Sequence, residues 1–445
     1  MSRTLTDTPG RDDDAADAPR PGLTLVYAGP AGLARAGEQL SLAGRAAVLL
    51  GRDEPLFPGG PLGDARMSGR HAVIVRESGN YHLIDRGSKN GTFVRGERVT
   101  DHVLAPGDAI RVGSTFLVFS LVPPSPRADA GGDLVGAGAT MAEIHRSLDL
   151  VAPSEHTVLL LGESGTGKEV AARELHRRSA RPGPFLAINC ASLRGELLES
   201  ELFGHARGAF TGAQRAHDGL FLRASEGTVL LDEVAEMDEP VQARLLRVLE
   251  ARAVRPVGAS AEVPVGTRVV AATNRDVEGA VRAGRLRADL YARLARWTVR
   301  LPALRERLED VGVLARAILA REGRPRDLGP ELVAALLDAR WTLNVRGLVN
   351  VLTTAAIAQP GERVLDLVPA VRQALDAQAS LAAAPGAAAA EPESERAHDE
   401  ATVRAALARH AGNVSAAARD LGLTRQSLYR LLERHDLDAT AFRDE

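Results

Sequence analysis

Two hydrophobic textures divide the chain. Between residues 23 and 121, short apolar runs recur: Ala47-Val48-Leu49-Leu50, Ala72-Val73-Ile74-Val75, Tyr81-His82-Leu83-Ile84 and Thr115-Phe116-Leu117-Val118-Phe119. Turn clusters such as Ser78-Gly79-Asn80, Pro106-Gly107-Asp108 and Val112-Gly113-Ser114 separate them. Short strands at this spacing predict an antiparallel β sandwich. From residue 133 onward, helical patterns alternate with the runs Thr157-Val158-Leu159-Leu160-Leu161, Phe185-Leu186-Ala187-Ile188, Thr228-Val229-Leu230-Leu231 and Thr267-Arg268-Val269-Val270-Ala271-Ala272. That alternation predicts a parallel sheet covered by helices.

The last segment, 400–445, reads as all helix. Residues 400–410 carry Val403 and Leu407 four apart; 415–421 form a second helix ended by Gly422. Thr424 is placed to cap a third, 425–435, with Leu428, Leu431 and Leu432 facing inward. Two helices joined by a short Gly-containing turn predict a helix-turn-helix. Three polar or small-residue stretches separate these blocks. Residues 1–22 are acidic and Ala/Pro-rich and predict disorder. Residues 122–132 predict a linker, and 373–399, Ala-rich with Pro385 and Pro392, a flexible linker with room for helical fragments.

The composition, 45% hydrophobic and 25% charged over 445 residues, is that of a multidomain globular protein. Net charge is only -3, so any nucleic-acid contact must be local. Residues 404–434 supply such a patch, with six arginines against Asp420 and Glu433. The single cysteine, Cys190, excludes an intrachain disulfide and fits a reducing compartment. The N-terminus lacks a signal-peptide core, and no apolar run approaches membrane-spanning length. The expectation is a cytoplasmic protein without a membrane partner.

Of the 55 basic residues only Lys89 and Lys168 are lysines, so each marks a place where arginine does not serve. Lys168 lies in Gly162-Glu163-Ser164-Gly165-Thr166-Gly167-Lys168-Glu169, directly after a predicted strand and before a predicted helix. This matches the phosphate loop G-x-x-x-x-G-K, with Glu169 replacing the usual Ser/Thr. Its glycines turn backbone N–H groups toward phosphates, and lysine reaches the β and γ oxygens. The apolar strand Val229-Leu230-Leu231 ends in Asp232-Glu233, 64 positions beyond Lys168. Asp232 is placed to hold Mg²⁺ and Glu233 to polarise an attacking water. ATP and Mg²⁺ are therefore the expected ligands. Between the two motifs lies the loop Gly208-Ala209-Phe210-Thr211-Gly212-Ala213. Its glycines permit sharp bending, and Phe210 must be buried at home or offered to a partner.

Three resemblances follow from these residues. Glu201-Leu202-Phe203-Gly204-His205, the 208–213 loop, 227–234, Ala272-Thr273-Asn274-Arg275 and Leu301-Pro302-Ala303-Leu304-Arg305-Glu306-Arg307 resemble the AAA+ ATPase domain of bacterial enhancer-binding proteins, the activators of sigma-54 RNA polymerase. The resemblance implies an α/β ATPase subdomain at 133–303 and a helical lid at 304–372. Glu169 is usual in that family. By resemblance, the 208–213 loop contacts the sigma-54 holoenzyme and Asn189 is a switch restraining Glu233. Thr273 and Asn274 sense the γ-phosphate, Arg287 and Arg293 reach a neighbouring subunit's site, and Arg346 senses nucleotide from the lid. Fingers acting between subunits imply a homo-oligomer, dimer to hexamer. The lid text Trp341-Thr342-Leu343-Asn344-Val345-Arg346-Gly347-Leu348 departs from the family, lacking Pro-Gly after Trp341 and Glu after Arg346.

Gly51-Arg52, Ser68-Gly69-Arg70-His71 and Ser88-Lys89-Asn90-Gly91-Thr92 resemble the forkhead-associated (FHA) domain, a reader of phosphothreonine. Here the resemblance implies that Arg52, Ser68 and Lys89 contact phosphate and Asn90 the peptide backbone. The target is a threonine-phosphorylated partner or the protein itself. Asn413-Val414-Ser415-Ala416-Ala417-Ala418-Arg419 and Leu423-Thr424-Arg425-Gln426-Ser427-Leu428-Tyr429-Arg430 resemble the Fis-type DNA-binding domain. That implies Thr424, Arg425, Gln426, Ser427 and Arg430 on a palindromic enhancer DNA. The whole reads as a sigma-54-dependent activator. A DNA-bound scaffold with a purely regulatory ATPase and a phosphopeptide adaptor are the alternatives.

Overall fold

The structure is a computed structural model. It describes residues 18–124, 132–193, 195–209, 215–321, 326–381 and 400–410, with Ala417, Asp420, Leu421, Leu428 and Leu432. The chain divides into two compact units, Met1–Ala379 and Ser380–Glu445.

The N-terminal part of the first unit is a sandwich of ten strands: β1 (Arg20–Ala28), β2 (Gln39–Ser41), β3 (Ala47–Leu50), β4 (Ala72–Glu77), β5 (Asn80–Asp85), β6 (Thr92–Val94), β7 (Glu97–Val99), β8 (Asp101–Val103), β9 (Asp108–Val112) and β10 (Thr115–Val122). They form a six-stranded sheet, β2-β1-β10-β9-β6-β7, facing a four-stranded sheet, β3-β4-β5-β8. β1 starts at Arg20, inside the stretch expected to be disordered.

Strand alternation explains the sandwich core. Leu23, Leu25, Leu117 and Phe119 point inward to Ile74 and Leu83 of the opposite sheet. The outward face of β1 and β10 is apolar as well. Val26, Tyr27, Phe116 and Val118 are buried there against Val311, Leu314 and Ala315. Each such side chain contributes about 1.5–3 kcal/mol when fully covered. These two strands therefore belong to two cores at once.

The remainder of this unit is an α/β layer followed by helices. β11 (Val158–Leu161), β12 (Phe185–Asn189), β13 (Thr228–Asp232), β14 (Arg268–Thr273) and β15 (Trp297–Arg300) form a sheet in the order β12-β13-β14-β11-β15. All its pairings are parallel, as the near-continuous apolar runs predict. Arg268 is buried at the start of β14 and donates to the carbonyls of Val151 and Ala152, closing the helix Ala139–Val151. The lid comprises the helices Val311–Ala320, Pro330–Asp338, Asn344–Ala358 and Pro369–Leu381. The last of these runs into the stretch expected to be a linker. Its Gln378 lies against the turn before helix Asn344–Ala358, where its carbonyl accepts from Thr342 Oγ1 at 2.7 Å.

In the second unit the helix Glu400–Arg409 buries Val403, Ala406 and Leu407 against Ala417, Leu428 and Leu432. Arg409 pairs with Asp420 at 2.7 Å. Of the positions expected to face inward, Val403, Leu407, Leu428 and Leu432 lie in this core, and Leu431 lies outside the described residues. Among the described residues no helix is long and apolar enough to cross a membrane.

Candidate functional site

β11 delivers the chain into loop 162–167, and Lys168 opens the helix Lys168–Ser179. Gly165 and Gly167 take left-handed angles, φ 77° and 105°. A Cβ on Gly165 would meet Leu343 O at 2.2 Å, so the lid turn rests directly on the loop. Lys168 is buried, and its Nζ donates to Gly162 O at 2.8 Å and Glu163 O at 3.2 Å. Burial pulls its ammonium below the ordinary lysine range, against the raising charges of Glu233 and Asp232. Thr166 is buried and donates to Glu163 O. Glu169 departs from its expected place at the loop. Its carboxylate pairs with Arg173 at 2.7 Å along the exposed helix face, leaving only its backbone in the first turn.

The acids sit where β13 ends. Register pairs Asn189 of β12 with Asp232, and Cys190 N–H donates to the Asp232 carbonyl at 2.9 Å. Burial pushes the Cys190 thiol well above its ordinary range, so it stays protonated. Glu233 takes a left-handed angle, φ 54°, at the sharp turn out of the strand. Its Oε2 accepts the Asn274 N–H at 3.1 Å and lies 3.5 Å from Thr273 Oγ1. The end of β14 thus holds the carboxylate. Asn189 differs from expectation: its Oδ1 accepts from Ala191 N–H at 2.9 Å, and among the described residues no Asn189–Glu233 hydrogen bond is made.

The lid closes over the loop through more residues than expected. Arg346 Nη1 donates to Ser164 Oγ at 3.0 Å and its N–H to Gly165 O. Asn344 was not singled out in the sequence, yet it is the hub. It is fully buried at φ 51°, and its Nδ2 donates to Glu163 Oε2 at 3.1 Å and Ser164 O at 3.0 Å. Its Oδ1 accepts from Leu304 N–H at 2.8 Å. Arg305 clamps Glu163 with two bonds, 2.8 and 2.5 Å, holding that carboxyl below its ordinary range. Arg307 is buried and donates to Thr166 O at 3.0 Å. The signal available in the sequence was asparagine, a residue that tolerates left-handed angles, directly after a Trp-led turn.

The spacing of Leu286, Leu290 and Leu294 predicts one buried helix face; all three are buried, but the helix begins only at Ala288, so Leu286 packs from the segment before it. Arg287 precedes the helix Ala288–Leu294 and pairs with Asp289 at 2.8 Å; Arg293 pairs with Glu250 at 3.3 Å. Both are partly exposed, and among the described contacts neither touches its own chain's phosphate loop. Of the 208–213 loop, Gly208 and Ala209 are described; Phe210, Thr211, Gly212 and Ala213 lie outside the described residues. The loop's base is built by reciprocal backbone bonds between His205 and His217, 3.0 and 2.9 Å, and by Ser200 Oγ against His205 Nδ1.

In the sandwich, Arg52, Ser68, Lys89 and Asn90 come together. Arg52 N–H donates to Ser68 O at 3.2 Å, Lys89 N–H to Ser68 Oγ at 3.2 Å, and Asn90 Nδ2 to Arg66 O at 2.6 Å. Buried His71 ties the loops from beneath, accepting Ser68 N–H and facing Gly91 O at 3.1 Å. Gly51 is required, because a Cβ would meet Gly69 O at 2.0 Å. Gly69 itself faces open space. Thr424, Arg425, Gln426, Ser427 and Arg430 lie outside the described residues.

The Sigma-54 interaction domain family matches residues 134–300, the FHA domain family residues 48–113, and the "Bacterial regulatory protein, Fis family" description residues 401–435. Over 317 residues the chain is 41% identical to the transcriptional regulatory protein GlrR of Escherichia coli K12, covering 70% of each. It is 38% identical over 315 residues to the regulatory protein AtoC of the same organism, covering 69% of this chain and 68% of that one. The crystal structure of NtrX from Brucella abortus in complex with ADP matches with a TM-score of 0.50 and 30% identity, over 68% of this chain and 70% of that chain. The phosphate loop, the paired acids and the lid belong to a AAA+ ATP-binding core, flanked along the sequence by an FHA fold and a Fis-type DNA-binding fold. The chain belongs to the sigma-54-dependent transcriptional regulators, with an FHA domain, a AAA+ sigma-54 interaction domain and a Fis-type helix-turn-helix in that order.

Proposed function

We propose that this cytoplasmic activator hydrolyses ATP in a homo-oligomeric ring, up to a hexamer, to remodel the closed sigma-54 polymerase–promoter complex. The observation that carries this reading is the convergence of Lys168, Asp232 and the braced Glu233 at the ends of β11 and β13, the two strands on either side of β14. Lys168 would leave the carbonyls of Gly162 and Glu163 for the β and γ oxygens of ATP, a compact charge exchanging one set of acceptors for another. Asp232 would hold Mg²⁺ through water. Its Oδ1 accepts the Glu233 N–H at 3.1 Å, and no metal-binding cluster of three or more acids, histidines or cysteines occurs among the described residues. A shell completed by phosphates and water fits that sparse donor set. When bound, the metal neutralises charge on the β and γ oxygens.

Glu233 would orient and polarise the attacking water, with Thr273 and Asn274 setting its direction. Asn189, two strands' ends away from Thr273, would exchange its bond to Ala191 for one to Glu233 in the restrained state. Arg287 and Arg293, partly exposed, would enter a neighbour's site, and Arg346 would read the nucleotide from the lid. Loop 208–213 would carry Phe210 and Thr211 to sigma-54. The C-terminal domain would dock on palindromic enhancer DNA through Thr424, Arg425, Gln426, Ser427 and Arg430. The FHA loops would read phosphothreonine, with Arg52 and Lys89 on phosphate, Ser68 as hydroxyl partner and Asn90 on peptide backbone.

Two measurements test the reading. Glu233→Gln should bind ATP at near-native affinity and lose turnover by about a hundredfold or more, in the range of lost general-base catalysis; equal turnover would remove Glu233 from the chemistry. Calorimetry with phosphothreonine and unphosphorylated peptides should show affinity only for the former, abolished by Arg52→Ala. Equal affinities would refute phosphate reading.

A further inference from the structure

The FHA sandwich is seated on the AAA+ lid by a fitted surface, not merely tethered to it. The turn Leu33–Arg35, between β1 and β2, lies against the lid helix Val311–Ala320. Leu33 N–H donates to Asp327 Oδ1 at 3.0 Å. Arg316 Nη1 faces three carbonyls, of Leu33, Ala34 and Ala36, at 3.4, 3.1 and 3.0 Å. Gln39 Nε2 donates to Ala137 O at 2.7 Å. The backbones approach closely enough to demand glycine on both sides. A Cβ on Gly312 would meet Val26 O at 2.1 Å, and one on Gly37, at φ 91°, would meet Val313 Cγ1 at 2.6 Å.

This seat leads to the phosphothreonine loops in one direction and to the phosphate loop in the other. Arg35 donates to Gly60 O and Pro61 O at 2.9 and 2.8 Å, and its ion-pair partner Glu38 accepts from Gly59 N–H. That segment runs into Asp64, which holds Ser114 and Thr115 of the docked edge, and Arg66, whose carbonyl holds Asn90. Buried Tyr27 lies under the charges of both Asp327 and Asp64, and its hydroxyl is pushed up to about 12, chiefly by burial. On the other side, Val311 follows directly on the segment whose Arg305 and Arg307 grip Glu163 and Thr166. Buried Asp310 fixes that segment by accepting from Ala137 and Gly138 N–H at 2.7 and 3.0 Å.

We propose that the outer face of β1 and β10, with the turn Leu33–Arg35, is a regulatory docking surface whose partner is the lid. Its seating supports the lid's grip on the phosphate loop, and Arg35 links that seating to the phosphothreonine loops. The link through Arg35 rests on the phosphothreonine reading above; the docking does not. By reciprocity, a peptide that alters nucleotide affinity has its own affinity altered by the same factor.

The test uses the full chain and a fluorescent ATP analogue. Arg316→Ala/Asp327→Ala removes the polar seat, and Gly312→Leu forces the surfaces apart. Both should weaken nucleotide affinity by about fivefold or more, the low end of ordinary couplings. Hydrogen exchange should rise at residues 33–36 while β11 stays protected, which separates undocking from unfolding. Unchanged affinity in the double variant, with residues 33–36 deprotected, would overturn the proposal. A second arm adds a degenerate phosphothreonine peptide library. The library should shift nucleotide affinity in the native chain and lose that effect in Arg35→Ala at saturating peptide. An equal shift in both would overturn the Arg35 route. Absence of any peptide binding would refute the phosphothreonine reading and the link, and leave the docking arm to be decided by its own result.

Discussion

At the scale of single residues, the lone lysine of the ATPase core shows why arginine does not serve there. Lys168 is buried, and its point charge already sits between two carbonyls of its own loop. A planar guanidinium in that space would have to expel the Gly162 or Glu163 carbonyl. Lys168→Arg should weaken ATP binding by about tenfold or more, roughly 1.4 kcal/mol, in a direct titration. Asn344 is the counterpart on the lid. Replacing it with alanine strands the buried Leu304 N–H and forces a left-handed angle on a residue without a side-chain amide. The expected loss is about 3 kcal/mol, combining an orphaned buried donor with the backbone strain. Urea unfolding followed by tryptophan fluorescence, to which buried Trp341 contributes, would measure it.

At the scale of elements, the altered lid motif has a packing explanation. A Cβ on Gly347 would meet Gln378 Oε1 at 2.5 Å and Trp341 Cε3 at 3.4 Å. The space a glutamate would use is filled by the helix Pro369–Leu381. Gly347→Glu should therefore destabilise the lid, and Gln378→Ala should recover part of the loss, as read by thermal melting of both variants. The buried acids of the lid give a pH dependence. Burial, with the neighbouring charge of Asp310, raises Glu309 to about 8 from its ordinary value of 4.5. Between those values the folded chain keeps a proton the unfolded chain releases, so stability falls as pH rises through this window. Urea midpoints at about pH 6 and about pH 8 should differ in that direction, and Glu309→Gln should flatten the difference.

The same scale shows what was legible in the sequence. Strand runs with a clear period, such as β3–β5 and β11–β14, announced themselves, as did the strand-loop-helix around Lys168. Short strands such as Gln39–Ser41 and Glu97–Val99 carry too few residues for a periodic signal. The docking face was legible only in retrospect. β10 reads Thr-Phe-Leu-Val-Phe-Ser-Leu-Val, without the apolar–polar alternation of a sheet wetted on one side, and Phe116 and Val118 are the residues that break it. Asn344 and Arg307 were hidden because polar residues on a lid turn read as surface until tertiary packing buries them, whereas Arg305 stays exposed and is marked only by its pair with Glu163.

For the whole molecule, the proposed function gives DNA anchor, motor and reader a causal order: enhancer binding would raise local concentration, nucleotide would drive the ring, and the sandwich on the lid would condition the motor. The central claim is that chemistry at Glu233 is converted into opening of promoter DNA. The most direct measurement is single-strand-specific chemical footprinting of a sigma-54 promoter with holoenzyme, ATP and the full chain, native or Glu233→Gln. Melted DNA is expected only with the native chain and hydrolysable ATP. Full ATP turnover by the native chain without melting, or equal melting by Glu233→Gln, would contradict it.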